Sequence, residues 1–120
     1  MDLLLAITSE ELAATLAPFL SQYNIHTCHN GTEALTLLDT IQPEAVILEL
    51  CLPVMDGLSV LRQACHKPPV ILALTNLCTD KVIQNALASG IQDMILKPCT
   101  IGHIVAHLEQ LTKRIPSQDL

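Results

Sequence analysis

Short aliphatic runs alternate with longer stretches of helical period five times along this chain. The first run, residues 3–7, reads as a buried strand. Ser9 followed by Glu10 and Glu11 then supplies a cap and first-turn carboxylates for a helix. Its apolar positions Leu12, Leu16, Phe19 and Leu20 recur at helical spacing, and Pro18 predicts a kink or an early end. A weaker strand is predicted over residues 25–28, then the turn Asn30-Gly31 and a helix carrying Ala34, Leu35, Leu37 and Leu38. Residues 45–48 form a third run, continuously apolar as a central parallel strand should be. A loop from Leu50 to Asp56 leads to a helix opened by Gly57. Residues 70–74 read as strand four, with a helix over about 79–89 ending at Gly90, a natural left-handed cap. Residues 91–96 read as strand five and 101–111 as the last helix.

Five strand–helix units joined by right-handed crossovers make a doubly wound α/β sheet. Chemistry in such sheets gathers beyond the carboxyl ends of the strands. The positions to question are therefore residues 7–9, 49–55, 75–78 and 97–99.

Composition narrows the reading. Half of the 120 residues are hydrophobic and only 2% aromatic, so the core must be aliphatic. A net charge of −6 with six scattered Lys and Arg argues against a nucleic-acid surface on this domain alone. The first apolar run is too short for a signal peptide or a membrane span. Five cysteines without a CxxC pair do not make a disulfide framework, and a cytoplasmic setting is the simpler reading. One domain is expected over residues 1–114, with a linker or frayed tail over 115–120.

Four stretches in order carry a resemblance: Asn30 to Leu35, Leu52 to Leu58 (Leu-Pro-Val-Met-Asp-Gly-Leu), Leu74-Thr75, and Lys97-Pro98. Together they resemble the receiver domain of bacterial two-component response regulators, over about residues 3–112. Leu58 to Leu61 and Ile95 to Pro98 are also similar to the sporulation-regulator branch of that family. The resemblance implies a five-stranded parallel sheet of order 2-1-3-4-5, the flavodoxin-like receiver fold. It also implies phosphoryl transfer from a histidine kinase to an Asp ending strand three. There an acidic pair after strand one helps hold Mg²⁺, and a Thr or Ser and a Lys bind the phosphoryl oxygens.

Transferred by position, the phosphoacceptor falls on Glu49, the hydroxyl on Thr75 and the Lys on Lys97. The acidic pair falls on Ile7 and Thr8, so it is replaced. With one carboxylate left to face Lys97, no Mg²⁺ or other cofactor is expected and no metal site is assigned. The family's switch aromatic falls on Met94, and an Arg of the last helix on His107, with Asp93 as its acidic partner. A homodimer through the last helices is an expectation that depends on that face.

The reading that follows is a non-enzymatic, atypical receiver acting through protein contacts, expected to be the amino-terminal part of a transcription regulator. Its partners would be an output domain or another regulator, and a histidine kinase or phosphotransferase. Two rivals stand beside it. One is a phosphorylatable receiver of a phosphorelay. The other is a redox or metal sensor using the rim cysteines Cys51, Cys78 and Cys99. His103 and His107, one helical turn apart, have the spacing to share a metal but read first as a solvated or partner-facing helix surface. Against the sensor stand the lack of a metal-ligand spacing and the habit of Cys of serving as a small buried apolar residue.

Overall fold

The computed structural model of this chain describes residues 1–76 and 79–113. Five parallel strands, β1 (Asp2–Ala6), β2 (Asn24–Cys28), β3 (Ala45–Glu49), β4 (Val70–Thr75) and β5 (Asp93–Leu96), pair in the order 2-1-3-4-5. The interleaved helices are α1 (Glu10–Leu16), α2 (Gly31–Ile41), α3 (Gly57–Gln63), α4 (Asp80–Ala88) and α5 (Ile101–Thr112). This is the doubly wound architecture expected from the alternating pattern. The tail assigned to residues 115–120 lies outside the described residues.

Strand alternation sorts the aliphatic side chains into two layers. Leu3, Leu5, Ile47, Leu72, Leu74 and Ile95 pack under α1 and α5, against Leu16, Ile104 and Leu108. Leu4, Ala6, Val46, Leu48, Ile71 and Ala73 pack on the opposite face under α2, α3 and α4. β3 and β4 are buried at every residue, as strands covered on both faces must be.

Helix starts follow the local chemistry. Ser9, Asn30, Asp56, Thr79 and Thr100 each accept a backbone N–H of the following first turn. Pro18 ends α1 early: the α-helix stops at Leu16 and a 3₁₀ turn over Ala17–Leu20 carries the chain on. The largest boundary shift from the sequence reading is at β5; β1 also ends one residue sooner, at Ala6, which leaves Ile7 beyond it. Ile91 and Gln92 are not in β5, because Gly90 (φ +91°) closes α4 and the Ile91 N–H turns back to the Ala86 carbonyl. Ile91 serves as the buried apolar residue after the cap, and the strand begins two residues later.

Candidate functional site

The carboxyl ends of β1, β3, β4 and β5 converge on a buried carboxylate. Glu49, the last residue of β3, is 6% exposed. Its Oε2 lies 2.8 Å from Lys97 Nζ, and its Oε1 accepts the Thr8 backbone N–H at 3.0 Å. Thr75 ends the neighbouring strand β4, buried at 4% exposure and partnered. Lys97 follows β5, where its backbone N–H donates to the Thr75 carbonyl at 2.7 Å. That bond brings the Lys97 side chain across the end of β4 toward Glu49. The Lys97–Pro98 peptide bond is cis.

Backbone packing fixes the acid from below. The Gly57 N–H donates to the Leu50 carbonyl at 2.9 Å, and a Cβ at Gly57 would stand 2.5 Å from the Glu49 carbonyl oxygen. Only a residue without a side chain lets α3 start that close to the strand end. The loop between them carries Val54 at φ +71°, 82% exposed, in a tight turn where the Met55 N–H donates to the Pro53 carbonyl. A β-branched residue in the left-handed region is a strained one. Asp56 closes this loop as the cap of α3, bonding Ser59 through both its backbone N–H and its hydroxyl. The Ser59 hydroxyl chiefly holds the Asp56 carboxyl below its usual range.

The residues singled out by sequence therefore divide. Glu49, Thr75 and Lys97 come together. Ile7 does not face this group: its side chain is fully buried among the residues under α1 and α5. Thr8 has an exposed side chain and reaches Glu49 through its backbone alone. Met94 is half-buried on the opposite face, beside Ile83 and Leu87 in a shallow groove of about 310 Å³. Asp93 and His107 pair with each other through Oδ2 and Nδ1 within one chain. The acid expected to face a partner's last helix is thus already engaged.

Cys51 is exposed and Cys99 half-buried, both as free thiols; Cys78 lies outside the described residues. Burial pushes the Cys28 thiol up to about 12, so it stays protonated and unreactive. Among the described residues no group of three or more His, Cys, Asp and Glu is arranged to hold a metal ion. His103 and His107 meet edge to face at 4.6 Å, and the nearby carboxylate is spent on His107. No helix among them is long and apolar enough to cross a membrane.

Two contacts were not legible from side-chain types. The Thr8 amide is a backbone donor, which every residue but proline carries. His29, just past β2, places Nδ1 2.8 Å from the Ile7 carbonyl oxygen, and its one advance signal was its position beyond the strand end.

Comparison with known proteins identifies the family and the fold. Residues 6–109 match the family described as the response regulator receiver domain. The transcriptional regulatory protein TrcR of Mycobacterium tuberculosis is 30% identical over 96 residues, covering 77% of this chain and 37% of TrcR. The response regulator MprA of Mycobacterium avium is 28% identical over 99 residues, covering 81% of this chain and 43% of MprA. This chain therefore spans about two-fifths of the length of these relatives. Among solved structures, the receiver domain of the Francisella response regulator 1452 superposes with a TM-score of 0.83 at 23% identity. That match covers 96% of this chain and 98% of the other.

Proposed function

The chain belongs to the response regulator receiver domain family, and we propose that it is an atypical receiver, one that signals through protein contacts without the family's usual aspartyl phosphorylation. One observation carries the reading. The carboxylate at the phosphoacceptor-equivalent position, Glu49, has both oxygens taken, one by the Thr8 amide and one by Lys97. The Lys that the family resemblance assigns to phosphoryl oxygens is thereby committed to a side chain of its own domain.

The donor set does not fit the Mg²⁺ that the family implies. A hard divalent cation needs several oxygen ligands, and carboxylates contribute most of its binding. The two positions that should add carboxylates carry a buried Ile7 and an exposed Thr8. Glu49 already has a cation beside it in Lys97, so the pair is neutral without a metal. Thr75 completes the rim as the remaining phosphate-pocket equivalent.

A pocket neutralised from within offers an incoming phosphoryl group no uncompensated positive charge. The switch position agrees: Met94 fills space by flexing and has no ring to rotate inward. The name and length of the relatives motivate the wider assignment, that this receiver serves a transcription regulator and acts on it, or on a partner protein, by contact.

Incubation with acetyl phosphate and Mg²⁺ followed by intact-mass measurement tests the core of this reading. The expected mass is that of the unmodified chain. A stoichiometric gain of one base-labile phosphoryl group overturns it. Titration calorimetry with Mg²⁺ should show no saturable isotherm.

A further inference from the structure

The peptide group joining Ile7 to Thr8 is held at both ends. Its N–H donates to Glu49 Oε1 at 3.0 Å, and its carbonyl oxygen lies 2.8 Å from His29 Nδ1. A carbonyl can only accept, so Nδ1 carries the proton and His29 is the donor. Just before this group, the Ile7 N–H donates to the Cys28 carbonyl at 3.2 Å, which ties β1 to the residue preceding His29. Planarity makes the peptide one rigid plate: it cannot rotate away from Glu49 without also leaving His29. Donation to its carbonyl also polarises its N–H, because hydrogen bonds in series strengthen one another. An unbroken line of contacts therefore runs from His29 through the Ile7–Thr8 peptide and Glu49 to Lys97.

We propose that His29 is the positioning residue of this pocket, aiming the Thr8 amide at Glu49 and passing its own charge state to that carboxylate through the Ile7–Thr8 peptide. The inference rests on the metal-free reading given above and names what stands in for part of the cation's field, a backbone dipole set by an imidazole. Ionisable groups approach His29 from the elements on each side. From the start of α1, Glu10 Oε1 comes within 4.0 Å of Nε2 and is 84% exposed, while the His29 side chain is 36% exposed. From α2, the Glu33 carboxylate is held by the Asn30 side-chain amide at 2.9 Å. Cys28 stays neutral, and across the peptide lie Glu49 on β3 and Lys97 after β5. Nε2 is the nitrogen left to take up a proton. When it does, Nδ1–H becomes a charge-assisted donor and the Thr8 amide is polarised further.

Amide-resolved NMR on the uniformly labelled 120-residue chain tests this. The Thr8 amide resonance should move with pH in step with the His29 ring signals. In His29→Ala the Thr8 amide should exchange with solvent about tenfold faster, and its response to pH should vanish. His29→Asn returns a donor near the Nδ1 position without a titrating ring. It should restore the slow exchange but not the pH response, a split that general loosening of the loop does not produce. A Thr8 amide indifferent to His29 ionisation, and unchanged in His29→Ala, overturns the proposal. If His29→Ala does not fold, the titration of the unaltered chain and His29→Asn still decide it. Glu49→Gln separates this inference from the reading beneath it. Should Glu49→Gln move the Thr8 amide while the His29 changes do not, only the role of His29 falls. Should Glu49→Gln leave the Thr8 amide where it is, the occupied-carboxylate reading falls as well.

Discussion

Two acid–base pairs flank β5 and behave as opposites. Glu49–Lys97 sits on the rim at the strand ends, its carboxylate side chain 8% exposed and supplied with a second, backbone donor. Asp93–His107 sits on the flank between β5 and α5, its side chains 36% and 34% exposed. Asp93 spends its other oxygen on the N–H of its own neighbour, Met94, at 2.9 Å. The rim pair joins a carboxylate and an ammonium from elements far apart in sequence, whereas the flank pair is ionic only when its His is protonated. The lesson concerns what is at stake when a partner is lost. A buried carboxylate stripped of its cation has no water to replace it; an exposed one has.

Lys97→Ala should show the largest effect. Breaking a fully buried pair costs ~3–5 kcal/mol and an exposed one ~0–1, and Lys97 itself is 30% exposed. We expect a loss of about 2 kcal/mol in denaturant melts. Adding Glu49→Gln should recover most of it, because no lone charge remains. Purely additive changes across the four-member cycle would mean the two residues do not interact.

Next comes the cap that closes the rim loop. Asp56→Ala should cost about 1 kcal/mol at neutral pH, the usual worth of a side-chain N-cap. Because the folded-state pKa of Asp56 lies below 3.8, its stabilisation is present above that value and is lost as pH falls through the folded pKa. Melts of the two proteins should therefore converge in acid. A gap that stays constant into strong acid would contradict the charged-cap account.

Val54→Gly should go the other way. Relief of the left-handed strain, of order 1–3 kcal/mol, is partly offset by glycine's extra chain entropy of about 0.5–1 kcal/mol. A net gain of about 0.5–1 kcal/mol is expected, and a thermal melt shifted downward would count against strain at this turn.

The smallest effect belongs to the flank. A double-mutant cycle on Asp93 and His107 should return a coupling below about 0.5 kcal/mol, fading further in high salt. A coupling as large as that of the rim pair would erase the contrast between the two pairs.

Sequence determined a good deal of this. Short, continuously aliphatic runs suit strands covered on both faces, so residues 45–48 and 70–74 could be read as strands and the first of them as central. Once those strand ends are located, Glu49, Thr75 and Lys97 must meet near the same edge, because parallel strands all end on one side. Ser9 and Gly90 likewise announced themselves as the start of one helix and the stop of another, since a Ser hydroxyl bonds locally and glycine alone takes the left-handed turn freely.

Tertiary structure alone decided the rest, and the reason is that these contacts belong to no residue type. Whether Ile91 begins a strand or closes a helix turns on which carbonyl its N–H finds, and its aliphatic side chain suits both. Thr8 looked like a missing acid, yet what matters there is a backbone amide. Its partner, Glu49, lies 41 residues away in sequence. His29 matters because the fold sets a carbonyl 22 residues earlier beside its ring. Asp93 and His107 find each other in the same chain because β5 and α5 pack together. Side-chain chemistry is written position by position, but the partner of a backbone dipole is assigned only when distant segments are brought into register.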